Sequence, residues 1–140
     1  SIPEEKRRHL FGYVEQQFRM IRGTVAEQIS LKDPEVSERQ IEKALETVGI
    51  LNTVCALPDK MDTQCDEKLF SQGQFQLLSI ARAIVLNPKI LLLDEITANL
   101  DSGTEEQIME ALKNASHDRT VISISHRLYN KTGEREIVIG

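Results

Sequence analysis

The sequence is poor in the features that mark secreted, membrane-spanning and nucleic-acid-binding proteins. Its two cysteines, Cys55 and Cys65, are too few and too irregularly placed for a disulfide framework or a zinc site. No apolar run approaches the length of a membrane span, and no signal peptide is expected. The net charge of −5 argues against a surface that grips nucleic acid through phosphate contacts. We therefore expect one domain, or a piece of one, in a reducing, cytosolic compartment.

The most informative stretch runs from residue 69 to residue 101. Ser71 and Gln74 have the spacing of a capping box, which predicts a helix beginning after Ser71. Apolar residues recur on one broad face of this helix, at Leu77, Leu78, Ile80, Ala81, Ile84 and Val85. The helix should end before Asn87-Pro88, because a residue that precedes proline is pushed out of the helical region. Residues 90–93 are apolar without alternation, which predicts a parallel strand buried on both faces.

Two acids, Asp94 and Glu95, follow this strand at its carboxyl end, where open α/β sheets bind their ligands. Four apolar residues followed by Asp-Glu form the Walker B pattern of nucleotide hydrolases. An aspartate there can hold Mg²⁺ directly or through water, and the next acid is placed to polarise an attacking water. The alternative is a strand that simply ends in acids, and the pattern alone does not decide between them.

The residues around this pattern make it more specific. FSQGQ at 70–74 and IARA at 80–83 precede it, and ITANLD at 96–101 follows it. The combination resembles the ATP-binding cassette family, the motor domains of ABC transporters, with FSQGQ similar to the LSGGQ signature and ITANLD similar to the D-loop. The resemblance implies an α/β fold: a truncated P-loop NTPase (ABC ATPase) core with parallel strands, plus a small α-helical subdomain.

Two further segments resemble parts of the same family. YVEQQFRMIRGTVAEQI at 13–29 resembles the Q-loop segment of exporter-type cassettes, although Glu15 stands where proline is usual. The resemblance implies that Gln16 contacts Mg²⁺ and the attacking water; otherwise Gln16 is a solvated loop residue. SHRL at 125–128 resembles the switch or H-loop, which implies that His126 contacts the γ-phosphate and orients the catalytic glutamate. Without that context a histidine after a strand is more often a structural residue. His9 and His117 have no such motif around them, and we expect them at the surface.

The chemistry of the signature follows from helix electrostatics. The amino end of a helix offers free N–H groups and a partial positive charge, which suit a phosphate. Ser71 supplies a hydroxyl, Gly73 lets the backbone approach the phosphate closely, and Gln74 supplies a further hydrogen-bond donor. The resemblance implies that this end faces the γ-phosphate of ATP held by the opposite subunit, with Asp101 communicating between the sites. Gln72 replaces the first glycine of the signature, which narrows the freedom of the backbone and is expected to weaken or alter the phosphate contact.

Capping boxes also predict the other helices. The pairs Thr24/Glu27 and Ser37/Gln40 predict a short helix and a helix over 38–48, the second ended by Gly49. The pair Ser102/Glu105 predicts a helix to about Ala115. The apolar positions expected in the core are Ile41, Ala44, Leu45 and Val48 in the first long helix and Ile108, Met109, Ala111 and Leu112 in the second. Residues 57–68 should form a loop, and strands are expected at 120–124 and 136–139. We assign 17–68 to the helical subdomain and 69–140 to the signature helix and the C-terminal part of the RecA-like core.

The family's Walker A loop is absent from this sequence. The seven glycines cannot build the pattern G-x-x-x-x-G-K-[ST], whose loop carries the main phosphate grip of P-loop ATPases. We therefore expect a partial ABC ATPase domain, its C-terminal portion, which does not hydrolyse ATP by itself.

The leading hypothesis for function is a part of the nucleotide-binding domain of an exporter-like ABC transporter. Its expected partners are ATP with Mg²⁺, a second nucleotide-binding domain in a head-to-tail dimer, and a transmembrane domain at the cytoplasmic side of the membrane, with no nucleic acid. Two alternatives stay open. One is a non-catalytic module that supplies signature and D-loop surfaces in trans. The other is a soluble cassette ATPase of DNA repair or translation, although the short separation of Gln16 and Ser71 disfavours the repair type.

Overall fold

A computed structural model describes residues 10–15, 17–94, 102–125 and 136–139. Nine helices and strands of the described residues follow in chain order: β1 Phe11–Val14, α1 Val25–Ser30, α2 Glu38–Val48, α3 Leu51–Cys55, α4 Gln72–Ile84, β2 Ile90–Leu93, α5 Ser102–Ala115, β3 Thr120–Ser125 and β4 Glu136–Ile139. A single 3-10 turn, Lys60–Asp62, lies between α3 and α4. This order, with strands separated by helices, is that of an α/β fold.

The strands form one sheet in the order β1-β2-β3-β4. The predicted parallel arrangement is confirmed for three strands, because β1 pairs with β2 and β2 pairs with β3 in parallel. The fourth strand departs from the expectation of a parallel core, because β4 runs antiparallel to β3. The carboxyl ends of β1, β2 and β3 therefore lie along one edge of the sheet.

Three of the predicted capping boxes are present. In each of the pairs Thr24/Glu27, Ser37/Gln40 and Ser71/Gln74, the capping hydroxyl accepts the backbone N–H three residues on, and that residue's side chain accepts the capping residue's N–H. The two hydrogen bonds satisfy donors that would otherwise be left free at the start of the helix. Helix α5 begins at Ser102, but Ser102's side chain lies outside the described residues, so the fourth box stays a prediction.

The predicted helix ends are also confirmed. Helix α2 covers residues 38–48 and ends at Gly49, whose φ of 84° is left-handed and easily adopted by glycine. The Ile50 N–H then bonds the Leu45 carbonyl at 3.0 Å, and the buried Ile50 side chain seals the end. Helix α4 ends at Ile84, three residues before Asn87 turns to a φ of 52° ahead of Pro88.

The core is one cluster to which both predicted parts of the chain contribute. Val25, Ile29 and Leu45 from the first part lie in the same cluster as Leu77, Leu78 and Ile80 from α4. Helix α2 packs against both α4 and α5, and α1 packs against α4. The division into 17–68 and 69–140 stays a prediction.

Two expectations about burial are wrong. Met109 is 52% exposed rather than in the core, because the face of α5 that packs inward carries Ile108, Ala111, Leu112 and Ala115. Strand β2 is not buried on both faces: Leu91 is buried, whereas Ile90, Leu92 and Leu93 are half-buried. Helix α4 packs on the sheet face of Gly12 and Leu91, and the opposite face leaves Tyr13 46% exposed.

The segment between α2 and α4 is more ordered than expected. No capping signal in the sequence predicts α3, and the predicted loop 57–68 contains the 3-10 turn. Two backbone bonds tie this segment to the start of α1, from Val25 N–H to the Thr63 carbonyl and from Cys65 N–H to the Gly23 carbonyl, both at 2.9 Å. In the part of the chain that the structure describes, no helix is long and apolar enough to cross a membrane.

Candidate nucleotide site

The amino end of α4 is built by the capping box of Ser71 and Gln74. The Ser71 hydroxyl accepts the Gln74 N–H at 3.1 Å, and the Gln74 side-chain oxygen accepts the Ser71 N–H at 2.9 Å. Ser71 and Gln72 are exposed. The N–H groups of Gln72 and Gly73 belong to the first turn, whose donors have no acceptor within the helix. The helix dipole adds positive potential at the same place, so this end suits an anion.

Gly73 has a packing partner that the sequence did not reveal. A Cβ at this position would lie 2.4 Å from Cγ2 of Thr104, a residue in the first turn of α5. Thr104 is β-branched, so relieving this overlap requires a change of its χ1 rotamer or a shift of the α5 backbone. Gly73 is buried, and its small size allows α4 and α5 to meet closely at their amino ends.

Gln72 begins α4 with ordinary helical geometry. Its φ is not in the positive, left-handed range, so a glutamine at this position causes no backbone strain. The side chain lies beside a cleft of about 690 Å³ between α4 and the segment that follows Gln16, lined also by Phe18, Phe75 and Gln76. The reduced backbone freedom of Gln72 relative to glycine therefore does not disturb the start of the helix. The effect of Gln72 on the phosphate contact stays a prediction.

Asp94 follows β2 at the carboxyl edge of the sheet. Its N–H bonds the Val14 carbonyl at 3.2 Å, which extends the β1–β2 ladder by one step. Its Oδ2 accepts a hydrogen bond from the Tyr13 hydroxyl at 2.8 Å. Tyr13 pairs with Leu92 in the β1–β2 ladder. Leu92 lies two residues before Asp94, so Tyr13 and Asp94 are on the same face of the sheet. Sequence reasoning missed Tyr13, because only the strand register brings it to Asp94.

A cleft of about 390 Å³ opens beside Asp94. It is lined by Tyr13, Glu15, Gln17, Phe18, Arg19 and Asp94. Glu15 forms an ion pair with Arg19, whose Nη2 lies 3.1 Å from the Glu15 carboxylate. Arg19 is 80% exposed, so this pair adds little stability. The residues on both sides of Gln16 in the chain therefore reach the same cleft as Asp94.

The remaining predicted site residues, Gln16, Glu95, Asp101 and His126, lie outside the described residues. The strands that lead to them are described: Val14 ends β1, Leu93 ends β2 and Ser125 ends β3. Because these strands are parallel neighbours, their ends share one edge of the sheet. The strands that precede Gln16, Glu95 and His126 in the chain thus end at one edge of the sheet.

The donors present fit Mg²⁺ only when it accompanies a phosphate. Among the described residues no group of three or more His, Cys, Asp or Glu side chains could hold a metal ion. Asp94 offers a single carboxylate held by Tyr13. Mg²⁺ commonly binds through one or two carboxylates while phosphate oxygens and waters complete its coordination. The single carboxylate of Asp94 fits that requirement.

With this geometry in place, comparison with known proteins identifies the class of the chain. The family model for ABC transporters matches residues 2–98. The chain therefore belongs to the ABC transporter family, and it is a portion of the family's ATP-binding P-loop NTPase domain, a class that typically uses Mg-ATP.

Individual relatives place it near the multidrug-resistance type of the B family. It is 43% identical over 126 residues to the ABC multidrug transporter MDR2 of Trichophyton tonsurans, covering 86% of this chain and 9% of that protein. It is 41% identical over 123 residues to ABC transporter B family member 3 of Dictyostelium discoideum, with the same two coverages of 86% and 9%. It is 39% identical over 129 residues to the mycobactin import ATP-binding/permease protein IrtA of Mycolicibacterium smegmatis, covering 91% of this chain and 15% of that protein. The chain thus spans a small fraction of these relatives' length.

Proposed function

We propose that this chain supplies parts of two ATP sites in an ABC transporter. The amino end of α4, with Ser71, Gly73 and Gln74, is presented to the γ-phosphate of ATP on an opposing nucleotide-binding domain. The carboxyl edge of the sheet, with Asp94, belongs to the chain's own nucleotide site. The observation that carries the proposal is the capped, exposed start of α4, whose first two N–H groups have no helical acceptor.

In its own site, Asp94 holds Mg²⁺ through a carboxylate that Tyr13 orients. When bound, Mg²⁺ neutralises charge that develops on the transferred phosphoryl group. Glu95 polarises the attacking water, Gln16 contacts Mg²⁺ and that water, and His126 contacts the γ-phosphate. The support for this grouping is the shared edge at which β1, β2 and β3 end.

We propose two protein partners, because each ATP site described above is incomplete in this chain. A second nucleotide-binding domain in head-to-tail arrangement completes each site, with Asp101 communicating between them. A transmembrane domain contacts the helical part, residues 17–68, at the cytoplasmic side of the membrane. Closure of the dimer on ATP and its opening after hydrolysis drive transport.

A second candidate is a non-catalytic module that supplies the signature and D-loop surfaces in trans. It would present the same capped, exposed start of α4 to its partner. Under both proposals the chain alone does not hydrolyse ATP, and they differ in whether Asp94 and Glu95 support turnover once a Walker A loop is supplied. ATPase assays of an upstream-extended chain, with and without Glu95→Gln, separate the two.

The first test of the composite site is calorimetric titration with Mg-ATP. We expect no binding by this chain alone and clear binding when the chain is extended upstream through a Walker A loop. Tight binding by the 140 residues alone would contradict the proposal, because the main phosphate grip would then have to lie within them.

The second test uses two matched capping boxes. Ser71 and Ser37 are both followed by glutamine three residues later and make the same pair of hydrogen bonds. Ser71→Ala and Ser37→Ala should each lower the free energy of unfolding by about 1 kcal/mol. Only Ser71→Ala should also weaken association with a second, ATP-loaded cassette that carries a Walker A loop, by about tenfold. Equal effects of the two variants on association would refute a phosphate contact at Ser71.

A further inference from the structure

The segment of residues 17–23, directly after Gln16, contains no helix or strand. One side chain of α4 contacts both this segment and helix α1. Arg82, in the last turn of α4, donates from Nε to the Gln28 carbonyl at 2.6 Å and from Nη1 to the Arg19 carbonyl at 2.8 Å. Its Nη2 lies 3.4 Å from the Gln28 side-chain oxygen. One guanidinium thus joins the signature helix, the segment after Gln16 and helix α1.

Gln28 extends this network into the segment. Its side chain is fully buried, and its Oε1 accepts the Ile21 N–H at 3.0 Å while its Nε2 donates to the Ile21 carbonyl at 2.7 Å. A buried amide needs such partners, so the side chain is held in one orientation. Ile21, Gln28 and Arg82 therefore form a continuous set of hydrogen bonds.

Aromatic contacts fix the same segment at a second place on α4. The Arg82 guanidinium lies over the Phe18 ring, 4.5 Å from its centroid. Phe18 also stacks on Phe75, with ring centroids 5.2 Å apart, and Phe75 meets Phe70 edge-on. Phe75 lies one residue after Gln74, so the segment contacts α4 near both of its ends.

We propose that Arg82 is a positioning residue that couples the signature end of α4 to the segment after Gln16. The proposal rests on the function proposed above. Helix α4 carries the Ser71 cap at one end and Arg82 in its last turn, and its buried face packs it into the core. A shift of α4 on binding phosphate therefore moves the carbonyls of Arg19 and Gln28 with it. The coupling requires arginine, because lysine lacks the planar set of donors that reaches several acceptors at once.

The first arm of the test needs no nucleotide. Amide hydrogen exchange is measured by NMR on the 140-residue chain, for the wild type, Arg82→Lys, Arg82→Met and the control Arg22→Met, whose arginine is exposed in the same segment. Both Arg82 variants should speed exchange of the Ile21 amide by about tenfold, with the amides of Leu78 and Ile80 unchanged. The control should leave Ile21 unchanged. Unaltered Ile21 exchange in both Arg82 variants overturns the proposal.

The second arm separates coupling from simple support. The chain is mixed with a second cassette that carries a Walker A loop, with Mg-ATP, and exchange is measured at Gln72, Gly73 and Ile21. In the wild type, binding should slow exchange at all three amides. In Arg82→Lys, Gln72 and Gly73 should still be protected while Ile21 no longer responds. An undiminished response of Ile21 overturns the coupling.

The two proposals fail in different ways. If Gln72 and Gly73 gain no protection in the wild type, the proposed function is wrong, and so is the coupling that rests on it. If they gain protection but Ile21 never responds, the proposed function stands and only the coupling is wrong.

Discussion

Two separate physical requirements can each explain why residue 73 is a glycine. Its place in the signature suggests close approach of the backbone to a phosphate, whereas its surroundings require room for the Thr104 methyl group of α5. A loss of activity on substitution would therefore not by itself show a phosphate contact. The two demands can be separated, because only the packing demand depends on Thr104.

We predict that Gly73→Ala lowers the free energy of unfolding by about 1–3 kcal/mol through overpacking, and that Thr104→Ser, which removes Cγ2, recovers most of that loss in the double variant. Urea unfolding of the two single variants and the double variant measures the interaction. Gly103→Ala is a control, because it is an exposed glycine within α5 where alanine should be neutral or stabilising. If Gly73→Ala is as harmless as Gly103→Ala, the contact with Thr104 does not constrain this position.

The two cysteines differ in environment, which predicts different reactivity. Cys55 is exposed and Cys65 is buried. Burial, with the nearby Asp66 charge, raises the pKa of the Cys65 thiol above its ordinary value of 9.0. Since the thiolate is the reactive form, Cys65 is both shielded and less ionised near neutral pH.

Iodoacetamide labelling followed by peptide mass spectrometry should therefore modify Cys55 at least about tenfold faster than Cys65 in the folded chain. The raised pKa of Cys65 also makes the free energy of unfolding depend on pH. The folded state keeps Cys65 neutral, so its contribution to stability is complete below the unfolded thiol's pKa and is lost as pH rises from there through the folded pKa. Unfolding in urea should equalise the two labelling rates. Equal rates in the folded chain would show that Cys65 is accessible.

At the scale of elements, the helices were predictable where their signals are local. The boxes at Thr24, Ser37 and Ser71 and the stop at Gly49 depend on residues three or four positions apart, and the structure confirms them. Met109 was misassigned because it lies next to the buried stripe of α5 and only the packing partner decides which side is covered. Helix α3 has no side-chain cap hydrogen bond and therefore gave no start signal.

The candidate site likewise contains some residues that the sequence predicts and others that only the fold reveals. Asp94 and the signature residues could be named from motifs, because motifs record chemistry along the chain. Tyr13 and Arg82 could not, because their partners lie 81 and 54 positions away and depend on strand register and helix packing. The exposed face of the sheet also escaped prediction. An apolar strand such as residues 90–93 indicates burial, but it does not say how much of each face the rest of the fold covers.

At the scale of the whole molecule, the packing predicts one cooperative unit. Leu45 of α2 and Leu78 of α4 are both fully buried in one cluster, although they fall on opposite sides of the boundary predicted between residues 68 and 69. Helix α2 contacts α4 and α5 directly. Because neither part has a core of its own in this arrangement, the two parts should unfold together.

We predict that Leu45→Ala lowers the free energy of unfolding by about 2–5 kcal/mol and reduces exchange protection equally at Val48 in α2 and at Ile80 in α4. The matched control is Met109→Ala, where the side chain is 52% exposed and the effect should stay within about 0.5 kcal/mol. Circular dichroism and tyrosine fluorescence should give coincident urea transitions, because a chain that unfolds as one unit shows the same transition to every probe. Loss of protection confined to residues 17–68, with α4 unaffected, would show that the helical part unfolds separately. That result would favour a boundary that works as a hinge, whereas a shared loss would mean that α4 moves with the helices packed on it.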